Sequence, residues 1–98
     1  MDNRLVLAIK EKRLIELSYK NHLRRVVEPH DYGIQQRIER LLCYQVGGYS
    51  SSRKPRGWRM FDYSNIHGLI VLERRFPGSR SDAAQHHRKW DVLFARVE

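Results

Sequence analysis

One cysteine, Cys43, is all the sulfhydryl chemistry in this 98-residue sequence. A lone cysteine excludes an intramolecular disulfide, and without a Cys-x-x-Cys pair a structural zinc site has no obvious ligands. Long apolar runs are also missing. The longest, LVLAI near the start, is far below the roughly 20 residues of a membrane span, and no small-residue cleavage site follows it. The sequence therefore reads as cytoplasmic, without metal or cofactor. It has no glycine-rich phosphate loop, because GGYSSSRKPRG lacks the GxxxxGK[ST] order. Acidic residues are scarce, 11 against 19 Lys and Arg, which leaves a formal charge of +8.

What remains is enough to fold. With 41% apolar and 10% aromatic residues the chain can build a core, and at this length one small domain, residues 1–98, buries roughly 60% of its unfolded surface. Fourteen of the nineteen cations are arginine, whose planar fork pairs bidentately with phosphate and stacks on flat rings. Their distribution points the same way. From Arg40 to Phe61 there are five cations and no acid, four of them in RKPRGWR together with Trp58. A solvated, solubility-promoting face is the plain alternative; the local clustering favours a phosphate-binding surface.

Periodicity sets the elements. Asp2 can cap a helix running to about Lys12, with Leu5, Ala8 and Ile9 on one face. The period then changes to two, so Leu14 to Lys20 is predicted as a strand. LRRVVEPHDYGI is β-branched in its middle, but Pro29 cannot donate to a ladder, which requires an edge strand or a bend. Gln35 to Arg40 reads as a turn. LLCYQVGG is predicted as a central strand, ended by Gly47 and Gly48, and YSSSRKPRG as a mobile hairpin loop. WRMFDY and IHGLIVLE supply two more strands. AAQHHRK is a helical turn or a loop, and WDVLFARV returns as a final strand that should pair with a sheet edge. The expected inward residues are Ile15, Leu17, Leu42, Val46, Ile70 and Leu72. A helix followed by five or six short antiparallel strands favours a mainly β fold, a small bent barrel; an open α+β sheet fits the same pattern.

The order of motifs resembles the WYL domain, a small Sm-like β-barrel found mostly in bacterial and phage regulators. AIKEKRLIELSYK matches the family's opening helix and strand, RVVEP from Arg25 to Pro29 matches its second motif, and RMFDYSNI supplies Arg59, Phe61 and Ile66 of its later strand. The resemblance covers about residues 5–76, leaving 77–98 as a C-terminal loop and extra strand. Two departures are visible. The family's Trp-Tyr-Leu triplet is Cys43-Tyr44-Gln45 here, so only the tyrosine is kept, and Ser64 and Asn65 stand where Asp and Arg are usual. The resemblance implies a ligand-sensing module for transcriptional regulation that binds nucleic acid or a nucleotide-like anion on a basic and aromatic face. Because the WYL-like part begins near Met1, a stand-alone member acting in trans on a partner protein or on nucleic acid is expected.

The candidate binding residues are Lys20, Arg25, Tyr44, Arg59 and Phe61, with Arg53, Lys54 and Arg56 as auxiliary loop cations. Arg59 and Phe61 share one strand face, and an exposed Arg beside an exposed aromatic can hold a phosphate and stack a base. Phe61 as core, Arg59 lying along the surface and Tyr44 at the core edge are the structural alternatives. Of the adjacent Arg24 and Arg25 only one can face a given site, and Arg25 fits the family pattern. Trp58 reads better as core or loop anchor than as a stacking platform. Enzymatic readings are thin: His86 and His87 diverge as neighbours and complete no metal motif, and Cys43 in an apolar run reads as a buried small hydrophobe. The expected function is thus non-catalytic binding of nucleic acid, single-stranded in preference, or of a nucleotide anion. A protein-interaction subunit docking an acidic partner or effector through its basic face is the alternative, and a Pro-interrupted edge that a second copy could cover suggests a homodimer.

Overall fold

The computed structural model describes residues 1–50, 54–87 and 89–98. Asp2 starts helix α1 (Asn3–Lys10) by accepting the Arg4 N–H at 2.9 Å, and the helix buries Leu5, Ala8 and Ile9. A left-handed Lys12 (φ 55°) turns the chain into the sheet. Six antiparallel strands follow: β1 (Arg13–Tyr19), β2 (Arg24–Gln35), β3 (Ile38–Gly48), β4 (Gly57–Asp62), β5 (Ile66–Arg75) and β6 (Val92–Arg96). The fold is mainly β, as the periodicity indicates, and among the described residues no helix is long and apolar enough to cross a membrane.

Strand order is β4-β3-β2-β1-β5, with β6 on β2. Twelve residues make β2 long enough for two partners on one side: Arg24 to Val27 pair with β1, and Asp31 to Ile34 pair with β6. Between those halves lies Pro29. It has no N–H to donate, and the register against β3 shifts between Pro29 and Asp31, so the strand bends there while remaining interior to the sheet. The two ends of the strand order, β4 and β5, are joined by only one 3-10 turn, Tyr63–Asn65. The sheet must therefore roll on itself. No ladder joins β4 to β5 among the described residues, but Tyr19 holds that corner, its hydroxyl accepting the Asp62 N–H at 3.0 Å, and the next residue, Lys20, donates its N–H to Asn65 O at 2.9 Å.

The inside of the roll holds Ile15, Leu17, Val27, Leu41, Cys43 and Phe61 under α1. Two expected inward positions are corrected. Leu41 and Cys43 face the core, which sends Leu42 to the opposite face, where it is buried beside Trp58 and His86. Ile70 is half exposed because the β1–β5 register shifts between Glu16 and Ser18; with Gly68 at φ 60°, Leu69 turns inward instead. Val46 and Leu72 are half-buried against the core. Only Gln36 and Arg37, both left-handed, form the β2–β3 turn, a much shorter turn than the polar run suggested. The segment after β5 folds back over the outer face of β2, β3 and β4, with a 3-10 turn at Ala83–Gln85.

Candidate anion-binding site at the mouth of the rolled sheet

At the end of the sheet away from α1, a tight turn of left-handed Lys20 and Asn21 brings β1 back as β2. Arg24 and Arg25 follow, and strand alternation separates them. Arg24 points outward to Glu16 (3.3 Å) and Gly68 O (2.7 Å). Arg25 points inward and is 5% exposed. Opposite it, β3 ends at Gly48, whose left-handed φ of 87° and lack of a side chain are both needed: a Cβ there would fall on the backbone of Arg24 and Arg25. The chain then swings Tyr49 over Arg25, pinned by the Tyr49 N–H to Arg24 O at 3.0 Å. From β4, Arg59 and Phe61 enter the same face as Leu41 and Cys43.

Arg25 therefore sits in a cage of rings. Its guanidinium carbon is 5.2 Å from the Phe61 ring centre, 5.6 Å from Tyr49 and 5.7 Å from Tyr19. Gln45, fully buried, donates its amide to Gly47 O (3.1 Å) and Tyr49 O (2.7 Å), which leaves its Oε1 to accept from Arg25 Nη1 at 3.3 Å. Arg25 Nε is buried without a partner among the described residues. Burial, and after it the charge of Arg59, pull the Arg25 pKa down. Among the described residues no carboxylate pairs with Arg25, Arg59 or Lys20. Arg59 instead donates to Trp58 O (3.0 Å), Ser50 Oγ (3.3 Å) and Lys54 O, tying the loop to β4.

These groups enclose a cavity of about 270 Å³ lined by Tyr19, Lys20, His22, Arg25, Ser50, Arg59, Met60 and Phe61. Four of the five candidate residues, Lys20, Arg25, Arg59 and Phe61, thus come together. The role expected of Phe61 is corrected, because its ring is 3% exposed and stacked on Tyr19 at 4.2 Å, with no face open to a base. Tyr44 does not join the site. Cys43 and Gln45 take the inward positions, so Tyr44 faces the other side of the sheet, under Arg80 (3.5 Å from the ring centre) and edge-on to Trp58. Lys54 and Arg56 are exposed and line a separate groove of about 490 Å³ outside β4, with Trp58 and His86; Arg59 and Met60 border both spaces. Arg53 lies outside the described residues. Cys43 is a packing group whose thiol pKa burial pushes up.

Sequence reasoning missed Gln45, Tyr49 and His22. The signal for Gln45 was a lone amide inside an apolar strand, ahead of two glycines that deliver the next tyrosine. His22 and Tyr49 stack nearly parallel at 5.0 Å on the rim, His22 exposed and Tyr49 partly so. They form the aromatic surface that Phe61 and Tyr44 do not provide. Comparison of this chain with protein-family models, with curated proteins and with solved structures finds no match.

Proposed function

We propose that this chain is a non-catalytic binding module for phosphate-bearing anions, a nucleotide or single-stranded nucleic acid, held at the Arg25–Arg59 cavity. Such a module would control a regulated partner, as the resemblance to WYL domains implies. The observation that carries this reading is Arg25 itself: a buried guanidinium that has, among the described residues, no partner for its Nε and no carboxylate. A buried charge without a counter-ion is destabilising, and a hydrophobic side chain of similar volume would pack more favourably. Phosphate oxygens would satisfy the open donors of Arg25, with Arg59 and Lys20 adding charge across the cavity. A base leaving the cavity meets the His22–Tyr49 pair on the rim, where stacking tolerates any base.

The second reading, docking of an acidic protein, draws on the exposed Lys54 and Arg56. A concave, partly buried cationic cavity suits a small anion better than a flat protein face does. Fluorescence anisotropy with short labelled DNA and RNA strands at about 50 mM salt tests the proposal. Binding should fall at least tenfold in Arg59→Gln. No binding of any phosphate-bearing probe, or equal binding by Arg59→Gln, would remove it.

A further inference from the structure

Building on that reading, we propose that the cavity selects a phosphate monoester, the doubly charged end group of a nucleotide or strand, over the phosphodiesters within a strand. The first support is shape. The inner wall is Arg25 (5% exposed), Phe61 (3%) and Tyr19 (9%), and behind it Val27, Cys43 and Gln45 are fully buried. A phosphate inside a chain carries a sugar on each side and needs two ways out. A cavity closed inward by packed core offers no passage through, so both sugars of an internal phosphate would have to leave by the open side, whereas an end uses it once.

Size agrees with shape. About 270 Å³ lies below the roughly 300–1,000 Å³ of pockets that take drug-sized ligands; it holds a phosphate with its sugar, not a run of nucleotides. Charge is the third support. Lys20, Arg25 and Arg59 bring three positive charges to one cavity with no carboxylate among the described residues. A phosphodiester brings one negative charge, whereas a monoester brings about −1.5 to −2 at neutral pH and three acceptor oxygens. The monoester therefore neutralises more of the site and offers more acceptors to the guanidinium and ammonium groups that line it.

The test uses the full chain and four probes at about 50 and 200 mM salt: one hexanucleotide sequence with a 5′-phosphate, a 3′-phosphate or hydroxyls at both ends, and a nucleoside monophosphate as competitor. One phosphorylated end should bind roughly tenfold or more tightly than the hydroxyl strand, and Arg59→Gln should erase the difference. Lys20 is exposed, so Lys20→Ala keeps the fold and should reduce the preference even if an Arg25 variant is unstable. Competition by the mononucleotide at similar concentration assigns the monoester to free nucleotides; competition only by the strand assigns it to strand ends. Equal affinity for phosphorylated and hydroxyl strands that still depends on Arg59 would overturn the monoester inference and leave the anion site standing. Absence of binding by every probe would overturn both.

Discussion

Arg25 and Arg80 lie on opposite faces of the same sheet, each against tyrosine, and they are treated differently by their surroundings. Arg80 lies 3.5 Å from the Tyr44 ring centre and donates to both carboxylate oxygens of buried Glu28, at 2.7 and 3.4 Å. Arg25 is more buried, has three aromatic neighbours and, among the described residues, has no carboxylate. The outer network continues in the same closed manner. Asp31, with no exposed surface, accepts from Arg96 Nε (3.0 Å), Arg96 Nη2 (3.1 Å) and Trp90 Nε1 (3.2 Å), and Asp82 accepts from Trp58 Nε1 at 3.1 Å. Arginine against an aromatic is common to both faces; the counter-ion separates a scaffold from a site. On the outer face Glu28, Asp31 and Asp82 tie the C-terminal segment to the sheet, while at the mouth Arg25 has no carboxylate among the described residues.

The sharpest way to break that contrast is Asp31→Asn. Asparagine retains one acceptor but places an NH2 where Oδ2 accepts from both Arg96 Nη2 and Trp90 Nε1, so Trp90 and the Arg96 side chain of β6 lose their anchor. We expect a loss of about 3 kcal/mol in urea unfolding. A change within about 0.5 kcal/mol, typical of an incidental surface site, would mean that the outer charges are not structural and that pairing does not distinguish the two faces.

At the mouth the same operation should have the opposite sign. Arg25→Met removes a buried charge at the cost of its bond to Gln45 Oε1 and its contacts with three rings, and the free protein should still gain about 1 kcal/mol. The wild type, but not the variant, should then be stabilised by added phosphate monoester, approaching about 2.7 kcal/mol at a hundred times the dissociation constant. If Arg25→Met unfolds the free protein, the arginine is a packing element and the contrast fails from the other side.

Much of this architecture is legible in the residues. Alternation places Ile15 and Leu17 inside, and Pro29 announces a bend, since no uninterrupted ladder tolerates its missing N–H. What alternation cannot foresee is a change of phase. Gly68 and the register shift against β1 rotate Ile70 out and Leu69 in, a one-residue event, although Leu72 further along still packs against the core. β3 is ambiguous for another reason: both of its faces are covered, one by the core and one by the returning C-terminal segment, so apolar residues stand on each and Tyr44 could not be assigned by type. The basic site was readable as composition, and Arg25 against Arg24 as a choice of one. The partner that orients Arg25 comes from Gln45, 20 residues away, a pairing set by the β2–β3 register and invisible locally.

His30 allows a smaller test on the scaffold side. Its Nδ1 faces Glu28 O at 3.0 Å and so carries the proton, while Nε2 accepts the Arg80 N–H at 3.2 Å. The ring is neutral, fully buried, and wedged between Trp58 and Phe76. Burial lowers its pKa from the ordinary 6.5, against the raising influence of Glu28 and Asp31 and together with the charge of Arg80. In the window below pH 6.5 the unfolded chain binds a proton that the folded one refuses, so stability rises with pH there. This contribution is complete above that window and is lost as the pH falls through it. Wild-type melting temperature should drop between pH 7.5 and 5.5 more than that of His30→Gln; equal drops would show that the Arg80 N–H does not depend on a neutral imidazole.

The smallest expected effect concerns the loop cations, which belong to neither category. Lys54 and Arg56 are exposed, and among the described residues Arg56 is anchored to a carbonyl, Val46 O, at 3.2 Å. Arg59 is bound to the Lys54 carbonyl rather than to its side chain, so Lys54→Ala should leave the cavity intact. A strand held by its end at Arg25 would pass these cations with its next phosphates, contacting them through solvent-screened attraction. Each Ala substitution should then flatten the dependence of log affinity on log salt by about 0.7, the single-strand value per phosphate, with affinity at about 200 mM salt nearly unchanged. The preference for a phosphorylated end should stay the same, because it is set inside the cavity by groups these side chains do not touch. Should Lys54→Ala abolish that preference while leaving the salt slope alone, the loop would be part of the recognition site, and the boundary between the mouth and the outer groove at Arg59 and Met60 would have to be redrawn.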